Sequence, residues 1–148
     1  EMTFVVEEGN LFDVTEDYVL SHCISADYAL GAGIAVLFDK KFALRPALKQ
    51  VGDHTFPTCI HIGRVFNLVT KEKCWQKPTY SSLETTLYCL RDEMIAKNIS
   101  KIAMPLIGCD LDRLKWSEVS KLIRAVFAET NIDIRVRYLP EKKYLLNQ

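Results

Sequence analysis

The sequence has no excess of either charge and no long apolar run. Its 19 Lys and Arg residues balance 19 Asp and Glu, and its pI is near 7.1, so no global field draws the chain to a nucleic-acid backbone or an acidic membrane. No run approaches the about 18 apolar residues of a membrane-spanning helix, and residues 1–3 lack the basic and apolar regions of a signal peptide. We expect an intracellular protein, in the nucleus or the cytoplasm, that contacts no membrane.

Disulfide and metal-site patterns are missing as well. The five cysteines are odd in number, widely spaced and without a C-x-x-C pair, and the three histidines are scattered. These spacings fit neither a disulfide framework nor a zinc site. We therefore expect reduced thiols, no bound metal and no cofactor.

What is present is the composition of one globular domain. The 148 residues are 49% hydrophobic and 26% charged, enough apolar material for one core and too little length for a second. We expect a single monomeric domain over residues 1–148, with its core at about 3–139 and a frayed tail at 140–148.

Strand and helix patterns alternate along the chain. Short, β-rich or continuously apolar runs predict strands at 3–8, 18–24, 58–62, 64–69, 101–107 and 132–138. Helical spacing predicts helices at 34–42, where Pro46 then interrupts, at 79–98 with Thr79 as N-cap, and at 116–127. The two middle strands suggest a hairpin, and the alternation at 132–138 is typical of a half-exposed edge strand. The pattern predicts an α/β fold whose largely parallel sheet is covered on both faces.

Two loops with glycines follow predicted strands and precede helices. Ligands of open α/β sheets bind outside the carboxyl ends of the strands, and these loops, residues 25–34 and 107–113, lie there. Their glycines allow backbone N–H groups to approach an anion at a helix N-terminus, and two such loops face to face would suit a diphosphate. Position alone leaves tight turns as an equally good explanation.

Four further side chains near strand ends are candidates for a chemical role, but each also has a more ordinary explanation. Lys71 follows a strand, but most lysines are merely solvated. Asp112 precedes a helix, where an aspartate is usually a cap. Cys23 and Cys109 lie at strand ends with no legible histidine partner, so a small buried thiol is the commoner role.

Four stretches together resemble a macrodomain. More narrowly, they resemble the terminal ADP-ribose protein glycohydrolase branch, which removes ADP-ribose from acidic side chains. The stretches are His22-Cys23-Ile24-Ser25, Gly31-Ala32-Gly33-Ile34-Ala35-Val36-Leu37-Phe38, Lys77-Pro78-Thr79-Tyr80 and Met104-Pro105-Leu106-Ile107-Gly108-Cys109-Asp110-Leu111-Asp112-Arg113-Leu114. The resemblance runs from about Phe4 to Tyr138. It implies a three-layer α/β/α sandwich with a mixed, largely parallel sheet, and ADP-ribose and ADP-ribosylated proteins as partners.

The resemblance also implies roles for individual residues. Lys71 matches the lysine that attacks the anomeric carbon of the distal ribose and forms a covalent adduct, and Asp112 matches the acid/base that releases it. A lysine is nucleophilic only when neutral, so a desolvating cleft or a neighbouring cation such as Lys73 or Lys77 would help. The implied ligand contacts are Asn10, Leu11, His22, Ser25, Gly31, Ala32, Gly33, Ile34, Ile107, Gly108, Cys109, Asp110 and Leu111.

Two positions depart from the family pattern. Asn10 stands where an aspartate usually accepts a hydrogen bond from the adenine amino group, although an amide carbonyl can also accept. Asp110 stands where a small glycine is usual, which would place a carboxylate beside the pyrophosphate.

The alternative to a hydrolase is a reader module that binds ADP-ribose without turnover. The presence of both Lys71 and Asp112 favours the enzyme. A nucleic-acid-binding module ranks last, because its only support is the short basic group formed by Arg135, Arg137, Lys142 and Lys143.

Overall fold

A six-stranded mixed sheet forms the centre of the molecule in the computed structural model, which describes residues 1–148. The strands are β1 (Thr3–Glu8), β2 (Val19–Ser25), β3 (Thr58–Ile62), β4 (Val65–Lys71), β5 (Lys101–Met104) and β6 (Asp133–Tyr138). The helices are α1 (Ile34–Phe42), α2 (Leu44–Val51), α3 (Tyr80–Ala96) and α4 (Trp116–Phe127). The strand order is β1-β6-β5-β2-β4-β3, and every neighbouring pair is parallel except the β3–β4 hairpin.

Two hydrophobic cores lie on opposite faces of this sheet. A cluster of 14 buried residues joins α1 and α2 to one face, and a cluster of 22 joins α3 and α4 to the other. Helical spacing of apolar residues produces this packing, since Trp116, Val119 and Ile123 all face inward from α4. The three-layer α/β/α sandwich with a mixed, largely parallel sheet is thus confirmed. No helix combines the length and the apolar surface that crossing a bilayer requires.

The start of α3 is fixed by a capping box, as the predicted N-cap implies. Thr79 Oγ1 accepts a hydrogen bond from Ser82 N at 3.0 Å, and Ser82 Oγ accepts one from Thr79 N at 3.0 Å. Ser82 Oγ also donates to the carbonyl of Thr70 at 2.8 Å. The cap therefore ties α3 to the end of β4, one residue before Lys71.

Two proline predictions need correction. The helix predicted at 34–42 is confirmed as α1, which ends before Ala43 in the left-handed region (φ 51°). Pro46, however, does not interrupt the helical region, because it lies in the first turn of α2, a helix that was not predicted. A first-turn proline is tolerated because that N–H has no partner within the helix. The strand predicted at 101–107 ends at Met104, because Pro105 has no N–H with which to continue the ladder.

The prediction that the strand at 132–138 lies at a sheet edge is wrong. This strand, β6, lies between β1 and β5, and the edge strands are β1 and β3. Its alternation arises from the two faces of the sheet. Ile134 and Val136 are fully buried in the core beneath α4, while Arg135 and Arg137 on the other face stay partly exposed. The side chains of an interior strand can alternate between apolar and polar whenever one face of the sheet remains partly open to solvent.

The tail is ordered, which overturns its predicted fraying. Residues Pro140–Asn147 form a 3-10 helix against α4. Leu145 is 5% exposed within the larger core, and Ser117 N donates to the Gln148 carbonyl at 2.9 Å. Burial of this apolar side chain offsets the entropy of ordering the last residues.

We expect Leu145→Ala to lower the free energy of unfolding by about 2 kcal/mol, the lower end for a buried leucine, because a site near the chain end can relax. The neighbouring Tyr144→Ala is the matched control: Tyr144 is 56% exposed, so its removal should change stability by less than about 0.5 kcal/mol. Urea unfolding of both variants measures the difference. Equal effects would mean that the tail does not pack as described.

Candidate active site

The side chains of Lys71 and Asp112 meet at the carboxyl end of the sheet. Lys71 Nζ donates to Asp112 Oδ1 at 2.8 Å, and each side chain is only 15% exposed. Lys71 is the last residue of β4, and Asp112 lies in the loop after β5, 41 residues along the chain. The two residues to which the resemblance assigns catalysis are therefore in direct contact, in a partly desolvated position.

An irregularity in the sheet sets the position of Lys71. Pairing of β2 with β4 is regular up to Ile24 and Val69, but Ser25 then pairs with Lys71, so Thr70 is an extra residue in β4. Bulges of this kind redirect side chains and are common beside active sites. The backbone is held on either side, by the bond from Ala26 N to the Lys71 carbonyl at 2.9 Å and by the bond from Ser82 to Thr70.

The loop that carries Asp112 is closed by its own backbone and by a lysine. Leu114 N donates to the Gly108 carbonyl at 2.7 Å, and Lys77 Nζ donates to the Leu111 carbonyl at 2.6 Å. Gly108 has φ +73°, and a Cβ there would lie 3.1 Å from Leu114 Cδ1. A side chain at this position would strain the backbone and crowd the loop closure.

The first glycine loop touches the second. Gly33 has φ +61°, and a Cβ on it would lie 2.9 Å from Leu111 Cδ1. A side chain at Gly33 would therefore be strained by this backbone conformation and would require the exposed side chain of Leu111 to move. The two predicted glycine loops are thus adjacent, and the N-terminus of α1, which follows Gly33, has no side-chain cap on its N–H groups.

Asp27 organises the first loop and was missed by the sequence analysis. Its Oδ1 accepts from Ser25 Oγ at 2.5 Å and Ala29 N at 3.2 Å, and its Oδ2 accepts from Cys74 N at 2.9 Å. Burial raises the pKa of this carboxyl, but the hydrogen bonds from Ser25, Cys74 and Ala29 outweigh it and hold the pKa below its usual value. An aspartate two residues after a serine at a strand end is typical of such turns, and that signal could have identified it.

The chain is similar in sequence to known proteins. The chain is 40% identical over 134 residues to "ADP-ribose glycohydrolase OARD1" of Homo sapiens, and the match covers 87% of each chain. The chain belongs to the macrodomain family, in its ADP-ribose glycohydrolase branch. No family model matches it.

Solved structures support the fold of this macrodomain at much lower identity. The macrodomain of Thermus aquaticus DarG superposes with a TM-score of 0.83 at 19% identity, covering 93% of this chain and 99% of that one. The structure of Thermosipho africanus DarTG in complex with ADP-ribose superposes with a TM-score of 0.73 at 16% identity, covering 99% of this chain and 46% of that one.

One predicted ligand contact, His22, lies inside this macrodomain. It is fully buried, its Nε2 is 2.7 Å from Asn67 Oδ1, and its ring stacks on Phe38 with centroids 4.0 Å apart. Burial lowers the pKa of His22 to about 4 despite the Asn67 contact. The expectation that His22 contacts ligand is therefore corrected, because a side chain enclosed between β2 and α1 has no surface to offer.

The remaining predicted contacts divide by exposure. Asn10 Oδ1 accepts from Phe12 N at 2.9 Å and caps the short 3-10 helix Leu11–Asp13. Gly31, Ala32 and Gly33 are exposed and Ile34 is half-buried. The buried ones, which can present little beyond backbone, are Leu11, Ser25, Ile107, Gly108 and Cys109.

The pKa values of the two cysteines beside the site are raised. Burial raises the pKa of the Cys109 thiol to about 12, and its Sγ donates to the Ile107 carbonyl at 3.3 Å. Burial also raises the pKa of Cys23, and the carboxylate of Asp112 adds to that effect. Both fit the buried-thiol interpretation, since the reactive form is the thiolate.

Asp110 is not an isolated carboxylate. Its Oδ2 lies 2.9 Å from Lys142 Nζ, with side chains 40% and 42% exposed respectively. The ordered tail thus supplies a counter-charge that the sequence did not reveal, and an anion bound nearby would meet a pair and not a lone negative charge.

His22 predicts a specific pH dependence. The unfolded residue titrates near 6.5, whereas the pKa of the folded residue is about 4, so between these values the unfolded chain binds one more proton. The free energy of unfolding should fall as pH drops through this window, by about 3 kcal/mol from this residue. The stability that depends on neutral His22 is fully present above pH 6.5.

Urea unfolding above pH 6.5 and close to pH 4 measures this loss. His22→Gln is the control, because it keeps a polar group near Asn67 and removes the titration. Identical pH slopes for both proteins would contradict the assignment.

Proposed function

We propose that this macrodomain removes ADP-ribose from glutamate and aspartate side chains of modified proteins, through a lysyl-ADP-ribose intermediate on Lys71. The observation that carries the proposal is the contact of 2.8 Å between Lys71 Nζ and Asp112 Oδ1, 15% exposed, beside two touching glycine loops. The 40% identity to a protein named as an ADP-ribose glycohydrolase supports the reaction class.

The first step needs a free amine. An ammonium has no lone pair, so Lys71 must lose a proton before it attacks. Asp112 Oδ1 is at hydrogen-bond distance from Nζ and is placed to accept that proton. Nζ then forms a bond to the anomeric carbon of the distal ribose, the carbon–oxygen bond to the acceptor breaks, and the protein side chain departs as a carboxylate.

The second step restores the lysine. Water adds at the carbon bonded to Nζ, Asp112 returns the proton to the departing amine, and ADP-ribose leaves. The carboxylate that leaves in the first step is already a stable anion. The proposed reaction therefore involves no metal or cofactor.

Backbone groups would hold the diphosphate. The N–H groups at the start of α1 carry no side-chain cap, and the N–H groups of Asp110 and Leu111 have no backbone partner, so both sets can bind an anion, which a helix N-terminus favours. Lys77, fixed on the Leu111 carbonyl, adds positive charge at the rim. A neutral chain can in this way bind a dianionic ligand locally.

The proposal extends to a second ester and to a compartment. O-acyl-ADP-ribose presents a related acyl ester, so its deacylation is expected at the same site. All five cysteines are free in the structure, which supports a reducing compartment inside the cell, the nucleus or the cytoplasm. A reader without turnover is the second candidate, supported by the binding loops alone.

We expect Lys71→Ala to bind ADP-ribose within a few-fold of the native protein but to release it from glutamate-modified acceptor at least about 10³-fold more slowly, because the nucleophile is lost. Calorimetry measures binding, and chromatography of released ADP-ribose measures turnover. Lys49→Ala is the matched control, since Lys49 is an exposed lysine of α2 and should keep full activity.

The same assay separates the two candidates. Native protein that binds ADP-ribose and releases none from the acceptor would be a reader. Undiminished turnover by the Lys71→Ala protein would contradict the lysine mechanism.

Asp112→Ala tests the second step. If Asp112 mainly resolves the adduct, the variant should accumulate protein carrying one covalent ADP-ribose after incubation with modified acceptor, visible as a shift in intact mass. The Lys71→Ala/Asp112→Ala protein is the control and should carry none. Lost activity without any adduct would instead place Asp112 in the first step alone.

A further inference from the structure

Two thiols lie in contact on the face of the sheet covered by α3. Cys59 Sγ of β3 is 2.8 Å from Cys89 Sγ of α3. Cys59 is 7% exposed and Cys89 is half-buried, and no other pair of cysteine thiols is hydrogen-bonded. The contact belongs to neither glycine loop and takes no part in the proposed reaction.

We propose that Cys59 and Cys89 are a site of reversible oxidation, which hydrogen peroxide converts to a disulfide. A disulfide requires the sulfurs to approach to about 2.05 Å. From their present contact the required movement is under one ångström, within reach of side-chain rotation.

The environment of the pair distinguishes the two thiols. A hydrogen bond from Cys59 lowers the pKa of Cys89 to about 6, against the opposing effects of burial and of Glu93. The same contact, together with burial, raises the pKa of Cys59, which Lys97 only partly offsets. Cys89 is the more accessible sulfur and the one that peroxide reaches, and Cys59 is the buried partner that resolves it.

The oxidation balances as two steps. Cys89 thiolate attacks one peroxide oxygen, the O–O bond breaks, and a sulfenic acid forms while hydroxide leaves and takes up a proton. Cys59 then loses its proton and attacks the Cys89 sulfur, so that the S–S bond forms, the S–O bond breaks and water departs. Two thiols lose two electrons in total, and peroxide becomes two waters.

The disulfide would cross-link the edge strand to a helix. The disulfide would close a loop of 30 residues. This loop contains all of β4, whose last residue is Lys71. Such a link restricts the unfolded chain. The oxidised protein should unfold at higher urea concentration than the reduced protein, with the catalytic loops unchanged.

The test exposes the native chain to stoichiometric hydrogen peroxide and counts free thiols in denaturant. Two of the five should be lost, a digest should contain one peptide pair linked through Cys59 and Cys89, and dithiothreitol should restore both thiols and the original urea midpoint. Cys89→Ser should abolish the link. Cys74→Ser, which removes an exposed cysteine, should leave the link intact.

Three results would overturn the proposal. These are retention of the Cys59 and Cys89 thiols at peroxide levels that oxidise Cys74, conversion of Cys89 to sulfinic acid with no linked peptide, or equal loss of thiol pairs in Cys89→Ser. Because the native chain is the primary sample, a poorly folding variant does not remove the test. The outcome is also independent of whether the protein hydrolyses ADP-ribose linkages.

Discussion

The ion pair of Lys71 and Asp112 depends on the order of the strands. Lys71 ends β4 and Asp112 follows β5, and β2 lies between those two strands. The two side chains therefore meet over the carboxyl end of β2, where the first glycine loop begins. This is the point at which the connections leave in opposite directions, and open α/β sheets bind their ligands there. The bulge at Thr70 and the capping box at Thr79 fix one partner, and the closed second loop fixes the other.

A partly buried ion pair is a weak source of stability, because desolvation offsets most of the attraction. Its placement is better explained by chemistry, since it holds an amine and a proton acceptor at contact distance. The surrounding structure supplies the rigidity. Buried His22 bonded to Asn67 joins neighbouring strands beneath the site, and Asp27 joins the first loop to the segment after Lys71. Neither residue needs to touch substrate to position the pair.

Local positive groups, and not the net charge of the chain, would attract an anionic ligand to this molecule. The chain is neutral overall, yet a helix N-terminus, glycine backbone and Lys77 converge on the gap between the loops. Asp110 adds a negative charge in the second loop, but its carboxylate is paired with Lys142 from the ordered tail. The last residues thus affect both the packing of α4 and the electrostatics at the rim of the site.

Local patterns were sufficient for the six strands, for three of the four helices, for the Thr79 cap, for the two glycine loops and for the family, while α2 was not predicted because Pro46 was taken to interrupt the helical region. They are properties of neighbouring residues, namely apolar spacing, turn chemistry and short motifs. The interior position of β6, the burial of His22, the order of the tail and the contacts of Lys71 with Asp112 and of Cys59 with Cys89 join residues far apart in the chain. Such pairings are decided by which faces of the sheet the helices cover and by the order in which strands align, and no local pattern encodes that order.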